Sequence, residues 1–91
     1  MAEIVWTAEA ADGIELIEAY ISKFDPVAAR RLVARLIEVA ASLAEFPERG
    51  RPAGNGKREV PIVPPYLIRY EVRGETVYIV SIRHGRQTPS P

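Results

Sequence analysis

The stretch from Val77 to Ile82 carries apolar side chains on both alternating sides of an extended chain. Val77 and Ile79 fall on one side, and Tyr78, Val80 and Ile82 on the other. A strand of that kind is expected near the centre of a sheet, with both of its faces covered. Directly after it the chain turns basic, through Arg83, His84, Gly85 and Arg86. The end of a rigid central strand is therefore expected to present cations to a partner. Everything upstream must supply the sheet and the cover that this segment needs.

The upstream periodicity supplies both. Ile4 and Trp6 share one side of an extended Glu3-Ile4-Val5-Trp6-Thr7, which predicts a short strand within residues 1–7. Ala10, Ile14, Ile17, Ile21 and Phe24 recur at three- and four-residue spacing and predict a helix over 8–24 with one buried stripe. Thr7 suits its N-cap, and Glu9 meets the positive end of its dipole. Asp25-Pro26 stops this helix and opens a second over 26–46, whose main stripe is Ala29, Leu32, Leu36, Ala40 and Leu43. So short a junction implies an antiparallel helix hairpin. Residues 47–57 are rich in Gly and Pro and predict a loop.

A three-stranded meander is expected over 57–86. Its first strand runs from Lys57 to Val63, where Pro61 cannot donate to a ladder and demands an edge or a bulge. The second, Tyr66 to Val72, turns Ile68, Tyr70 and Val72 inward and Arg69 and Glu71 outward. Arg73-Gly74-Glu75 makes the hairpin into the last strand, and residues 87–91 read as a tail. The expected fold is α+β, one domain over 1–91. An N-terminal strand and an antiparallel two-helix hairpin pack on an antiparallel sheet, which the C-terminal meander completes. Its core should hold Ile14, Ile17, Leu36, Leu43, Ile68, Tyr70, Val80 and Ile82.

Composition excludes several function classes. No cysteine is present and only one histidine, so neither a disulfide framework nor a thiolate or histidine-rich metal site is expected. No apolar run approaches the ~20 residues that span a bilayer, and the N-terminus lacks a signal-peptide pattern. A cytoplasmic protein without membrane contact is the expectation. Twelve basic residues balance twelve acidic ones, whereas a protein that lives on phosphate contacts carries a clear positive excess. No direct sequence-specific nucleic-acid binding is expected. The charge is nevertheless uneven, with eight Lys/Arg against three Glu from Arg49 onward.

No phosphate-binding glycine loop, metal-ligand cluster or nucleophile elbow occurs, so no cofactor is expected. The remaining chemistry is a cationic set on the sheet: Arg58, Arg69, Arg83, His84 and Arg86, with Glu59 nearby. His84 and Glu59 have the right groups for general acid–base work, and arginines could stabilise a phosphorane in RNA cleavage. The competing reading is a solvated sheet face whose arginines pair with Glu59 and Glu71, and it is favoured here over catalysis. By strand parity His84 is expected to turn inward with Ile82, and Arg83 outward.

Taken in order, several short motifs resemble the RelE/ParE toxins of bacterial toxin–antitoxin pairs. They are Trp6-Thr7, Asp12, Ile17 with Tyr20-Ile21, Pro26 with Ala29, Pro47 with Gly50-Arg51, Arg58-Glu59, Pro65-Tyr66 with Ile68 and Tyr70, and Ile82 with His84-Gly85-Arg86. The resemblance spans Glu3 to Arg86 and implies the fold already reached from periodicity. RelE-like members cleave messenger RNA on the ribosome, with a basic sheet face and often a tyrosine near the C-terminus. ParE-like members poison DNA gyrase instead.

This chain has two lysines, zero net charge and no tyrosine beyond Tyr78. Its Arg58-Glu59 pair and His84-Gly85-Arg86 ending look like the ParE branch. The resemblance therefore implies a non-enzymatic inhibitor of gyrase, with a ParD-like antitoxin as partner. The basic exit of the last strand makes Arg83 and Arg86 the expected target contacts. The nuclease alternative would use Arg58, Glu59, Arg69, Arg83 and His84. For the antitoxin, helical angles single out Leu16 and Tyr20 on the first helix and Arg30, Val33, Arg35 and Ile37 on the second.

Overall fold

Thr7 ends strand β1 (Glu3–Trp6) and turns the chain into helix α1 (Ala8–Ser22). Its hydroxyl accepts from the Ala10 N–H at 3.2 Å, the N-cap role that its side chain suits. Asp25 does the same for α2 (Pro26–Ser42), accepting from the Ala28 N–H at 3.0 Å, while Pro26 occupies a position where no N–H is missed. The computed structural model describes residues 1–85, so Arg86 and the expected tail 87–91 lie outside it. Beyond α2 come β2 (Arg51–Pro52), β3 (Lys57–Pro61), β4 (Tyr66–Arg73) and β5 (Thr76–His84). They join β1 in one sheet of order β1-β5-β4-β3-β2. Among the described residues no helix is long and apolar enough to cross a membrane.

The α+β class and the order of strand, helix hairpin and meander are those the sequence implies. Both helices stop early, at Ser22 and Ser42 rather than residues 24 and 46. After α2 the N–H groups of Leu43, Ala44 and Glu45 bond to carbonyls three residues back, so the last turn tightens. Phe24, expected in the buried stripe, therefore lies beyond the last turn of α1 and is 74% exposed. The segment expected as loop contains β2, which pairs only with Arg58 and Glu59. Pro61 thus sits where β3 has become an edge, as its missing N–H requires.

The sheet is mixed rather than antiparallel throughout. β1 runs parallel to β5, with Ile4 opposite Val77 and Trp6 opposite Ile79. A parallel pair needs a long crossover between its strands, and the helix hairpin with the first two meander strands provides it.

β5 lies between β1 and β4, but the helices cover one of its faces rather than both. They pack on the face of Val77 and Ile79, both fully buried. A bulge breaks the alternation of the strand. The register steps from Tyr70 opposite Ile79 to Arg69 opposite Ser81, leaving Val80 without a partner on β4. The extra residue reverses parity, so Ile82, opposite Ile68, rejoins the helix face and Ser81 turns to the other. Thr7 Oγ1 lies 2.8 Å from the Ile79 carbonyl oxygen and 2.9 Å from that of Val80, so its one proton is shared at the bulge. Tyr78 remains on the open face, where the Arg73 guanidinium lies over its ring at 5.7 Å.

Leu36, Leu43, Ile68 and Tyr70 are fully buried, as expected. Ile14, Ile17 and Ile82 are half-buried at the border of that core. Val80, the bulge residue, is half-buried outside the core cluster.

Candidate partner-binding surfaces

The cationic residues of the sheet have separate fates. Arg58 stands opposite Tyr70 in the register of β3 and β4. Its Nη1 donates to the Gly50 carbonyl at 2.7 Å. The Tyr70 hydroxyl donates to the Pro47 carbonyl at 2.8 Å and accepts from the Gly50 N–H at 2.7 Å. A Cβ on Gly50 would stand 2.7 Å from the Tyr70 ring, so only glycine fits. Burial pushes the Tyr70 phenol above its usual range, against the Gly50 N–H and nearby arginines that pull it down. Arg58 therefore fastens a loop. No role for the Tyr70 hydroxyl was legible in the sequence, where the available signal was an inward tyrosine and, about twenty residues earlier, a Gly-Arg-Pro loop.

The open face of the sheet is built from two cross-strand rows. One runs Arg51, Glu59, Arg69, Ser81 from β2 to β5, and the other runs Pro61, Leu67, Arg83. Arg69 donates to one Glu59 carboxylate oxygen from Nε at 3.1 Å and from Nη2 at 2.8 Å. Both side chains are largely buried, which makes this a pair of more than surface value. Glu71 pairs with Arg73 at 3.2 Å. Arg51 and Arg83 flank the Glu59–Arg69 pair around a hollow of about 410 Å³.

His84 lies at the margin of this hollow. Its ring meets Tyr66, its cross-strand partner, edge-on at 5.3 Å. The structure thus brings Glu59, Arg69, Arg83 and His84 to one hollow and leaves Arg58 out. Arg86 lies outside the described residues.

The residues singled out on the hairpin divide into two sets. Leu16 and Tyr20, 72% and 61% exposed, line a hollow of about 310 Å³ with Gly13, Ile17, Tyr66, Ile82 and His84. No α2 residue lines it. On α2, Ile37 and Arg30 are exposed, Val33 is half-buried, and Arg35 forms an ion pair with Glu38 one turn on. The sequence missed Phe24, whose ring meets Tyr20 edge-on at 5.4 Å and extends the exposed stripe of α1. Val27, at the start of α2, is also exposed. Among the described residues no group of three or more His, Asp or Glu side chains could hold a metal ion.

Comparison with known proteins places these features in context. The family model described as the ParE toxin of the type II toxin–antitoxin system parDE matches residues 4–89. The chain is 51% identical to "Toxin RelE2" of Caulobacter vibrioides over 93% of its own length and 97% of that protein. It is 40% identical to "Putative toxin Y4kP" of Sinorhizobium fredii, over 92% and 88% of the two chains. Its fold superposes on a chain of the chromosomal ParDE system from P. aeruginosa with a TM-score of 0.83, at 24% identity and coverage of 92% and 96%. YafQ from E. coli shares the fold more distantly, with a TM-score of 0.51 at 14% identity over 92% and 93% of the chains.

Proposed function

The chain belongs to the ParE toxin family of type II toxin–antitoxin systems, and on that premise we propose that it arrests growth by protein–protein contact with DNA gyrase rather than by cutting RNA. The observation that carries this reading is the state of Arg58, Glu59 and Arg69, three of the five residues a nuclease would use. Arg58 is spent on the Gly50 carbonyl, and the Glu59 carboxylate is held by Arg69. The oxygen that Arg69 holds is turned to the guanidinium rather than to a substrate proton. Zero net charge also weakens any general attraction to RNA. Arg83 remains available on the open face, and with Arg86 it is the proposed target contact.

The name of the Caulobacter relative, "Toxin RelE2", favours the alternative, a ribosome-dependent messenger RNA endonuclease. The two readings separate in one assay of the purified chain with ribosomes and messenger RNA. No cleavage is expected from the wild type, and none to be lost in Glu59→Ala or His84→Ala. Cleavage by the wild type that either variant abolishes would move the function to the nuclease class.

A ParD-like antitoxin is the proposed partner that silences the toxin in the cytoplasm. The P. aeruginosa relative belongs to a system described as ParDE. The exposed apolar residues Leu16 and Tyr20 on α1 and Ile37 on α2 support binding at the hairpin, since exposed apolar patches mark protein interfaces. Val33 would extend the α2 part of that contact, with Arg30 and Arg35 meeting acidic residues at its rim.

A further inference from the structure

The geometry points to a groove on the open sheet face that takes a short acidic peptide segment, with carboxylates at both ends and an apolar residue between them. Two hollows adjoin there, sharing Arg51, Glu59 and Leu67. The first continues to Arg69 and Arg83, and the second to Arg49 and Pro61. Four arginines and one glutamate therefore line a continuous channel in a chain of zero net charge. Glu59 and Arg69 neutralise each other at its middle. The uncompensated cations lie at the two ends, Arg49 and Arg51 at one and Arg83 at the other.

The register sets the size of the occupant. Arg51 on β2 and Arg83 on β5 stand three strand spacings apart and two residues offset, roughly 16 Å, or about five residues of extended chain. Opposite its middle stand Leu67 and Pro61, cross-strand partners that offer an apolar floor. A carboxylate at either end would meet an arginine, and an apolar side chain between them would cover Leu67 without facing Glu59.

A nucleic-acid strand suits the same channel poorly. Its phosphates would pass the Glu59 carboxylate, and among the described residues no aromatic ring apart from the His84 imidazole lines either hollow to stack a base. The inference rests on the reading of Arg83 as a contact residue. Its test reads binding rather than toxicity, so either can fail without the other.

The test is fluorescence anisotropy of the purified full chain with a labelled acetyl-Asp-Glu-Leu-Asp-Glu-amide peptide. A Lys-Lys-Leu-Lys-Lys peptide and a five-nucleotide single-stranded RNA serve as competitors, and circular dichroism checks each variant. Binding of the acidic peptide is expected, weakening with salt and unaffected by the basic peptide. Arg51→Gln and Arg83→Gln should each weaken it by about two- to fivefold, as for exposed charge pairs. Glu59→Gln should tighten it, because Arg69 is then released toward the ligand, and loss of structure would not produce that change. Absence of peptide binding, an affinity that neither arginine variant moves, or tighter binding of the RNA would each overturn the proposal.

Discussion

Tyr70 is the residue on which the loop after the helices depends. Its hydroxyl satisfies the Pro47 carbonyl and the Gly50 N–H together, and burial prevents water from replacing it. Tyr70→Phe should cost about 1–3 kcal/mol in a denaturant titration, the usual penalty for buried groups left unbonded. The raised phenol adds a pH effect whose sign is fixed. The unfolded tyrosine loses its proton near 10.0, while the folded one holds it to higher pH. Stability should therefore be level below pH 10 and fall as pH rises through the folded value. Tyr70→Phe should lose that alkaline component. Strand alternation was enough to place Tyr70 inward. It could not reveal a donor 20 and an acceptor 23 residues away in sequence, nor that Arg58, free-looking in the sequence, would be held by the same loop.

Among the elements, α2 and β5 behave differently under substitution. Leu36 is fully buried on α2, so Leu36→Ala should cost about 2–5 kcal/mol, a large share of a small domain's stability. Ile17 is half-buried, and Ile17→Ala should cost clearly less; equal losses in thermal melts would contradict this packing. The helices were legible because their stripes and caps are local signals, and Asp25-Pro26 marked the hairpin. β5 was legible as an inner strand, but not in which side chains share a face. Parity counts assume an unbroken ladder, and the bulge at Val80 moves Ile82 to the side of Val77. No residue in β5 announces the bulge. Thr7, more than seventy residues earlier in the chain, bonds to its carbonyls. The parallel pairing of β1 was likewise invisible, since a four-residue strand carries no mark of its direction.

Across the whole molecule, the helices cover one sheet face and leave the other open. Leu16 and Tyr20 on α1 and Ile37 on α2 are exposed apolar residues, and the hollow beside Leu16 and Tyr20 is lined by α1 and the sheet. Leu16→Glu and Ile37→Glu should both fold normally and both weaken antitoxin binding measured by calorimetry, if the antitoxin wraps the hairpin. Wild-type affinity in both would place it elsewhere. The toxin family was legible from an ordered set of short motifs, whereas the target was not, because it depends on which surface groups tertiary pairing leaves free. Here Glu59 is held by Arg69 and Arg58 by the Gly50 carbonyl, which supports the proposed contact with gyrase. Incubating the purified chain with DNA gyrase, ATP and supercoiled plasmid tests that claim most directly. Accumulation of linear, protein-linked DNA that depends on gyrase and disappears with the cognate antitoxin is the predicted result. Unchanged supercoiling with no cleaved DNA, at concentrations that arrest growth, would contradict it.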